Sequence, residues 1–170
     1  MTDQQPFSVV RTFDDFEVRR YPDYVLVQAS VEGEFEGAGN RAFRPLFSYI
    51  TGSNDSSRKF EMTAPVLQEQ TGEARYLVSF VLPEGVDAAE VPFPKDATVA
   101  TRAVPAHDAA AARFRGGWSE HGFRTHAEQL RASVAAAGLE SIGDVYFARF
   151  DPPWMPSFLK HNEVLLALAS

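Results

Sequence analysis

Two stretches of this chain repeat their apolar residues at a helical period, and the remaining apolar residues fall into short extended segments. In the first stretch Phe43, Leu46, Phe47 and Ile50 take the i, i+3, i+4, i+7 spacing that lines one stripe of a helix. In the second, Phe123, Ala127, Leu130, Val134 and Ala137 do the same between Ser119 and Ala137, and Gly138 stands where a C-terminal cap glycine belongs. A helix with a single apolar stripe must bury it against another layer, and the extended segments supply a sheet.

Those segments are ordered. Residues 16–20 and 24–33 flank the turn signal Tyr21-Pro22-Asp23; in the second, Val25, Val27, Ala29 and Val31 share one face, as a half-buried strand requires. A helix begins near Asn40, a good N-cap, and ends at Gly52. Strands over 59–66 and 75–82 follow, then a proline-rich connector over 83–95. Strands over 98–104 and 109–116, the second helix, and strands over 144–150 and 163–169 complete the chain. Strand, helix, strand, strand thus occurs twice, in halves of about 15–83 and 96–169 of one domain over residues 1–170. The expected class is α+β: a distorted, barrel-like antiparallel sheet flanked by two helices. Residues 1–14 are polar at the start and are expected to be flexible.

Composition removes several functions. The chain has no cysteine, which excludes disulfides, thiolate catalysis, zinc–thiolate sites and covalent thioether attachment of haem. A net charge of −7 leaves no excess of cations for a phosphate backbone, so nucleic acid is not an expected partner. No secretory signal and no apolar run of membrane-spanning length is visible, and a cytoplasmic location is expected. There is no glycine-rich phosphate loop, no Gly-x-Ser-x-Gly elbow and no triad order, so no catalytic role is expected.

Several segments read together resemble the SOUL haem-binding family. They are Phe16-Glu-Val-Arg-Arg-Tyr-Pro22, Ala42-Phe-Arg-Pro-Leu-Phe-Ser-Tyr-Ile-Thr-Gly52, and Lys59-Phe-Glu-Met-Thr-Ala-Pro-Val66 with its Met-Thr-Ala-Pro signature. In the second half they are Phe114-Arg-Gly-Gly117, His126-Ala-Glu-Gln-Leu-Arg131, Gly143-Asp-Val-Tyr-Phe147, Asp151-Pro-Pro153 and Asn162-Glu-Val164. Their order over residues 16 to 168 is more specific than any one of them. The resemblance implies reversible, noncovalent binding of haem or free porphyrin by a tetrapyrrole carrier or buffer. It places the ligand against the first helix and the loop before the last strand.

A tetrapyrrole needs an apolar face for its ring and cations for two propionates. On the implied elements stand Phe43 and Phe47 of the helix, and Trp154, Met155 and Phe158 of the loop. For Phe43 and Phe47 two readings are open, ligand face or core plug. Where the family places basic residues, this chain has Asn40, Ser48 and Met155, so the candidate cations are Arg41, Arg44 and Lys160. For Arg41 a solvated helix face is an equal alternative. Of four histidines, His121 and His126 lie about 140° apart around a helix and cannot clasp one metal. His161, beside the loop, and His126 are the candidate iron ligands, and a structural hydrogen bond is the other reading of His126. A second functional reading is an effector-binding module for hydrophobic or cationic small molecules. In it Glu163 is the counter-charge; a carboxylate satisfied by the backbone or Asn162 is the competing reading. Glu61 also reads as a strand residue among apolar neighbours.

Overall fold

The computed structural model describes residues 3–152 and 154–169. Pro153, which belongs to the Asp151-Pro-Pro153 segment, lies outside the described residues, as do positions 1, 2 and 170 of the sequence. The chain forms two compact units, one of residues 3–5 and 23–105, the other of residues 6–22 and 106–169.

The first unit holds β1 (Asp3–Gln4), β4 (Tyr24–Glu32), α1 (Ala38–Ile50), β5 (Thr63–Gly72), β6 (Arg75–Val81) and β7 (Val99–Val104). Its strands run in the order β5-β6-β4-β7, antiparallel throughout, with β1 parallel to β5. The second unit holds β2 (Ser8–Thr12), β3 (Glu17–Tyr21), β8 (His107–Arg115), α2 (Glu120–Ala136), β9 (Ser141–Arg149) and β10 (His161–Leu168). Its order is β2-β3-β8-β10-β9, again antiparallel. The two units share a pairing pattern around their helices, although β3, read from the sequence with the first half, lies in the second unit. In each unit the strand before the helix pairs with the second strand after it, and the first strand after the helix pairs outside that. The class is α+β, as the periodicity predicts.

The amino-terminal residues carry two short strands. Asp3 and Gln4 pair with Thr63 and Ala64, and Ser8–Thr12 pairs with β3. Every side chain of β2 is exposed. With Val9 and Val10 adjacent and both exposed, β2 is held by its backbone ladder and carries no apolar alternation.

Helix α1 starts at a Gly37 N-cap, so Asn40 lies inside it. Its buried stripe is Ala38, Ala42, Leu46, Tyr49 and Ile50. Ala38 and Ala42 have no exposed surface, and such small residues let the helix backbone come close to the sheet. That choice of stripe turns Phe43 and Phe47 away from the core.

Helix α2 follows the sequence more closely. Leu130 and Val134 are buried in a core with Phe16, Val18, Ala110, Val145, Val164, Leu166 and Leu168, and Phe123, Ala127 and Ala137 pack at its margin. The Ser119 hydroxyl accepts a hydrogen bond from the Gly122 amide at 3.0 Å, capping the first turn. Ser119→Ala is therefore expected to lower stability by about 1 kcal/mol, measured by urea unfolding; an unchanged midpoint would contradict this role. Gly138 closes the helix at φ 75°, a conformation that favours glycine. No described helix is long and apolar enough to cross a membrane.

Candidate ligand-binding surfaces

Two exposed aromatic surfaces stand out, one in each unit. On α1, Phe43 and Phe47 are 47% and 37% exposed, which decides against the core-plug reading. They are one helical turn apart and stack on each other, with centroids 5.3 Å apart and planes 26° apart. Phe43 also meets the buried Phe80 of β6 edge-on at 6.0 Å, so the pair rests on the sheet instead of floating above it. The result is an apolar platform that water wets on its outer side.

Arg44 lies about 60° around the helix from Phe47. It is exposed, and among the described residues no acceptor or carboxylate engages its guanidinium. Arg41 is different. Its guanidinium donates to the Glu34 carbonyl at 2.6 Å and packs on Gly33 and Gly37, where an added Cβ would come within 2.9 Å and 2.5 Å of it. Arg41 braces the chain leading into α1, and Arg44 is the cation left beside the platform. Glu61 is an exposed loop residue, because β5 begins only at Thr63; the Phe60 amide bonds back to the Ile50 carbonyl and holds that stretch as loop.

In the second unit the loop between β9 and β10 exposes Trp154 at 80%, Phe158 at 73% and Leu159 at 47%, with Met155 half-buried. The loop is pinned at its base, where the His161 amide donates to Asp151 and the Gly116 amide donates to the Lys160 carbonyl at 3.1 Å. Lys160 is not a rim cation. It is buried, with its ammonium 3.9 Å above the centre of the Trp118 ring, a cation–π contact that competes with any carboxylate. The Trp118 indole N–H donates to Asn162 at 2.9 Å, and Arg149 approaches the same ring at 4.8 Å. Trp118 was not singled out by the sequence; its only signal is an aromatic residue beside the Gly116-Gly117 turn that precedes α2.

Neither candidate iron ligand is presented for the purpose. The His161 ring stacks on Phe150 with centroids 4.5 Å apart, and its Nε2 is buried, 3.6 Å from the Glu163 carboxylate. His126 stacks on Phe114 at 3.9 Å, and burial lowers its pKa. Among the described residues no group of three or more histidine and carboxylate side chains is placed to hold a metal ion.

Glu163 is 1% exposed and paired. Arg19 grips it with both nitrogens of its fork, at 2.7 and 2.6 Å. Burial pushes the Glu163 carboxyl up, but the Arg19 hydrogen bonds and charge, with His161 beside them, outweigh burial and hold its pKa at about 2. The Arg113 guanidinium, at 3.5 Å, and His161 Nε2, at 3.6 Å, also face this carboxylate, and among the described residues neither the backbone nor Asn162 is its partner, so it is not a free counter-charge. Arg19 was missed because pairing β3 to β8 and β8 to β10 is what brings it to Glu163, and strand register is not written in either segment.

Three comparisons bear on this geometry. The family model described as SOUL heme-binding protein matches residues 2–167. Heme-binding protein 1 of Xenopus laevis is 27% identical over 157 residues, covering 88% of this chain and 81% of that protein. Heme-binding protein 1 of Xenopus tropicalis is 26% identical over 156 residues with the same coverage. The crystal structure of the EcmrR C-terminal domain superposes with a TM-score of 0.67 at 12% identity, covering 91% of this chain and 97% of that one, a likeness of fold alone.

Proposed function

This chain belongs to the SOUL heme-binding protein family, and we propose that it binds haem noncovalently and serves in the cytoplasm as a tetrapyrrole carrier or buffer, without catalysing a reaction. The observation that carries the reading is the Phe43–Phe47 stack, an exposed apolar platform with Arg44 unengaged beside it. A porphyrin is a flat apolar ring with carboxylates on one edge. Placed on the platform, it covers apolar surface of the Phe43–Phe47 pair that water otherwise wets, and a propionate reaches the guanidinium of Arg44. Haem brings its own iron chemistry; the protein supplies the surface, the orientation and the charge.

The chain's residues fit the ring better than they fit the metal. It has no cysteine to form a thioether or a thiolate bond. His161 and His126 are engaged in packing. Affinity that comes from stacking and one ion pair, without an iron–protein bond, is readily reversed. Reversible binding on an open surface is what a carrier or buffer needs, since it keeps haem from aggregating and still releases it. The exposed Trp154 and Phe158 of the other unit are a second apolar surface suited to the same ligand class.

Transfer kinetics test the carrier role. Protein loaded with hemin and mixed with excess apomyoglobin is expected to give up its haem within minutes, unaltered, as followed by the Soret band. Retention for hours would contradict a carrier, and appearance of iron-free or ring-opened pigment would identify an enzyme.

A further inference from the structure

Arg19 sits in a cage whose chemistry is that of a cation-binding site. Besides the two-pronged contact with Glu163, its Nε donates to Glu17 at 2.8 Å and one terminal nitrogen donates to the Tyr21 hydroxyl at 2.9 Å. The face of the guanidinium lies 4.0 Å from the centre of the Phe7 ring. Two carboxylates, a phenol oxygen and an aromatic ring engage four of the five guanidinium N–H donors and one of its faces. Only 2% of Arg19 is exposed. A cleft of about 360 Å³ nevertheless reaches Arg19 from outside, and Asp14, Asp15 and Glu17 line it together with Arg113. Its acidic side chains favour the approach of a cation.

We propose that this cage is a binding site for alkylguanidinium-class cations that the chain keeps filled with its own Arg19, a tethered ligand that shuts the Glu163 side of the second unit to free cations. Arg19 is then a specificity residue. While it is in place the unit rejects cationic small molecules; when its side chain is cut away, the cage and its access path remain. The inference is independent of haem binding, since none of these residues belongs to the aromatic surfaces described above.

Chemical rescue tests it. Arg19→Ala is expected to melt many degrees below the parent protein, and millimolar ethylguanidinium to raise its melting temperature by several degrees. Sodium chloride and urea at the same concentration serve as controls. The parent protein, its cage filled, is expected to show no such rise. Arg19→Ala/Glu163→Gln, which lacks both charges, is expected to lose the rescue. If Arg19→Ala does not fold in salt alone, recovery of the native circular dichroism on adding ethylguanidinium is the same supporting result. No rescue of Arg19→Ala, an equal rise in the parent protein, or rescue that survives the loss of Glu163 would each overturn the proposal.

Discussion

Glu163→Gln is expected to lose about 3–5 kcal/mol of stability in urea unfolding, the cost of leaving a buried cation without its counter-charge. Both partners are almost fully withdrawn from water, so solvent cannot take over the screening that the carboxylate provides. The neighbouring carboxylate, Glu17, reaches Arg19 from one side only and is itself partly exposed. Replacing both partners together, as in Arg19→Met/Glu163→Leu, is expected to recover most of the loss, because two desolvation penalties disappear with the pair. A double variant as unstable as the single one would show that the cost lies in packing and not in charge.

The same pair sets a dependence on pH. The folded-state pKa of Glu163, about 2, lies below its ordinary value of 4.5. A depressed carboxylate pKa contributes stability that is fully present above about pH 4.5 and is lost as pH falls toward 2. The contribution is on the order of 3 kcal/mol. Acid titration of the parent protein's stability is expected to show this component, and Glu163→Gln to lack it. Parallel curves for the two proteins would contradict the assignment.

The second large effect is on ligand binding. Phe47→Asp is expected to weaken hemin binding by roughly 10- to 100-fold, the loss of one buried phenyl face. The new carboxylate also repels propionates. Adding Phe43→Ser is expected to bring the total to roughly 100-fold or more. Because Phe47 is exposed, Phe47→Asp is expected to change stability by less than about 1 kcal/mol. Equilibrium titration of the Soret band, with urea unfolding as the control for folding, reads both. Unchanged affinity in a folded Phe43→Ser/Phe47→Asp protein would remove α1 from the binding surface.

How much of this was legible follows from where each piece of information is stored. Element type is stored locally, so both helices and eight of the strands could be read from period and turn residues. Which face of α1 goes inward is not local. Phe43 and Phe47 score as apolar on any scale, yet Ala38, Ala42 and Tyr49 join Leu46 and Ile50 in the buried stripe. The exposure of Trp154 was readable, since a proline-bounded loop has no core to fill, while Met155, read in the same way, is half-buried. The burial of Lys160 was not, because its partner Trp118 is remote in sequence. Arg19 and Glu163 were hidden for the same reason: they are 144 residues apart and meet only through strand register.

A porphyrin ring lying on the α1 platform is expected to be visible in a backbone-amide NMR titration with zinc protoporphyrin. The diamagnetic ligand shifts resonances wherever its ring current falls. Saturable shifts concentrated on the turn of α1 from Phe43 to Ser48 are the predicted result. A helix that stays silent while zinc protoporphyrin binds elsewhere would contradict it.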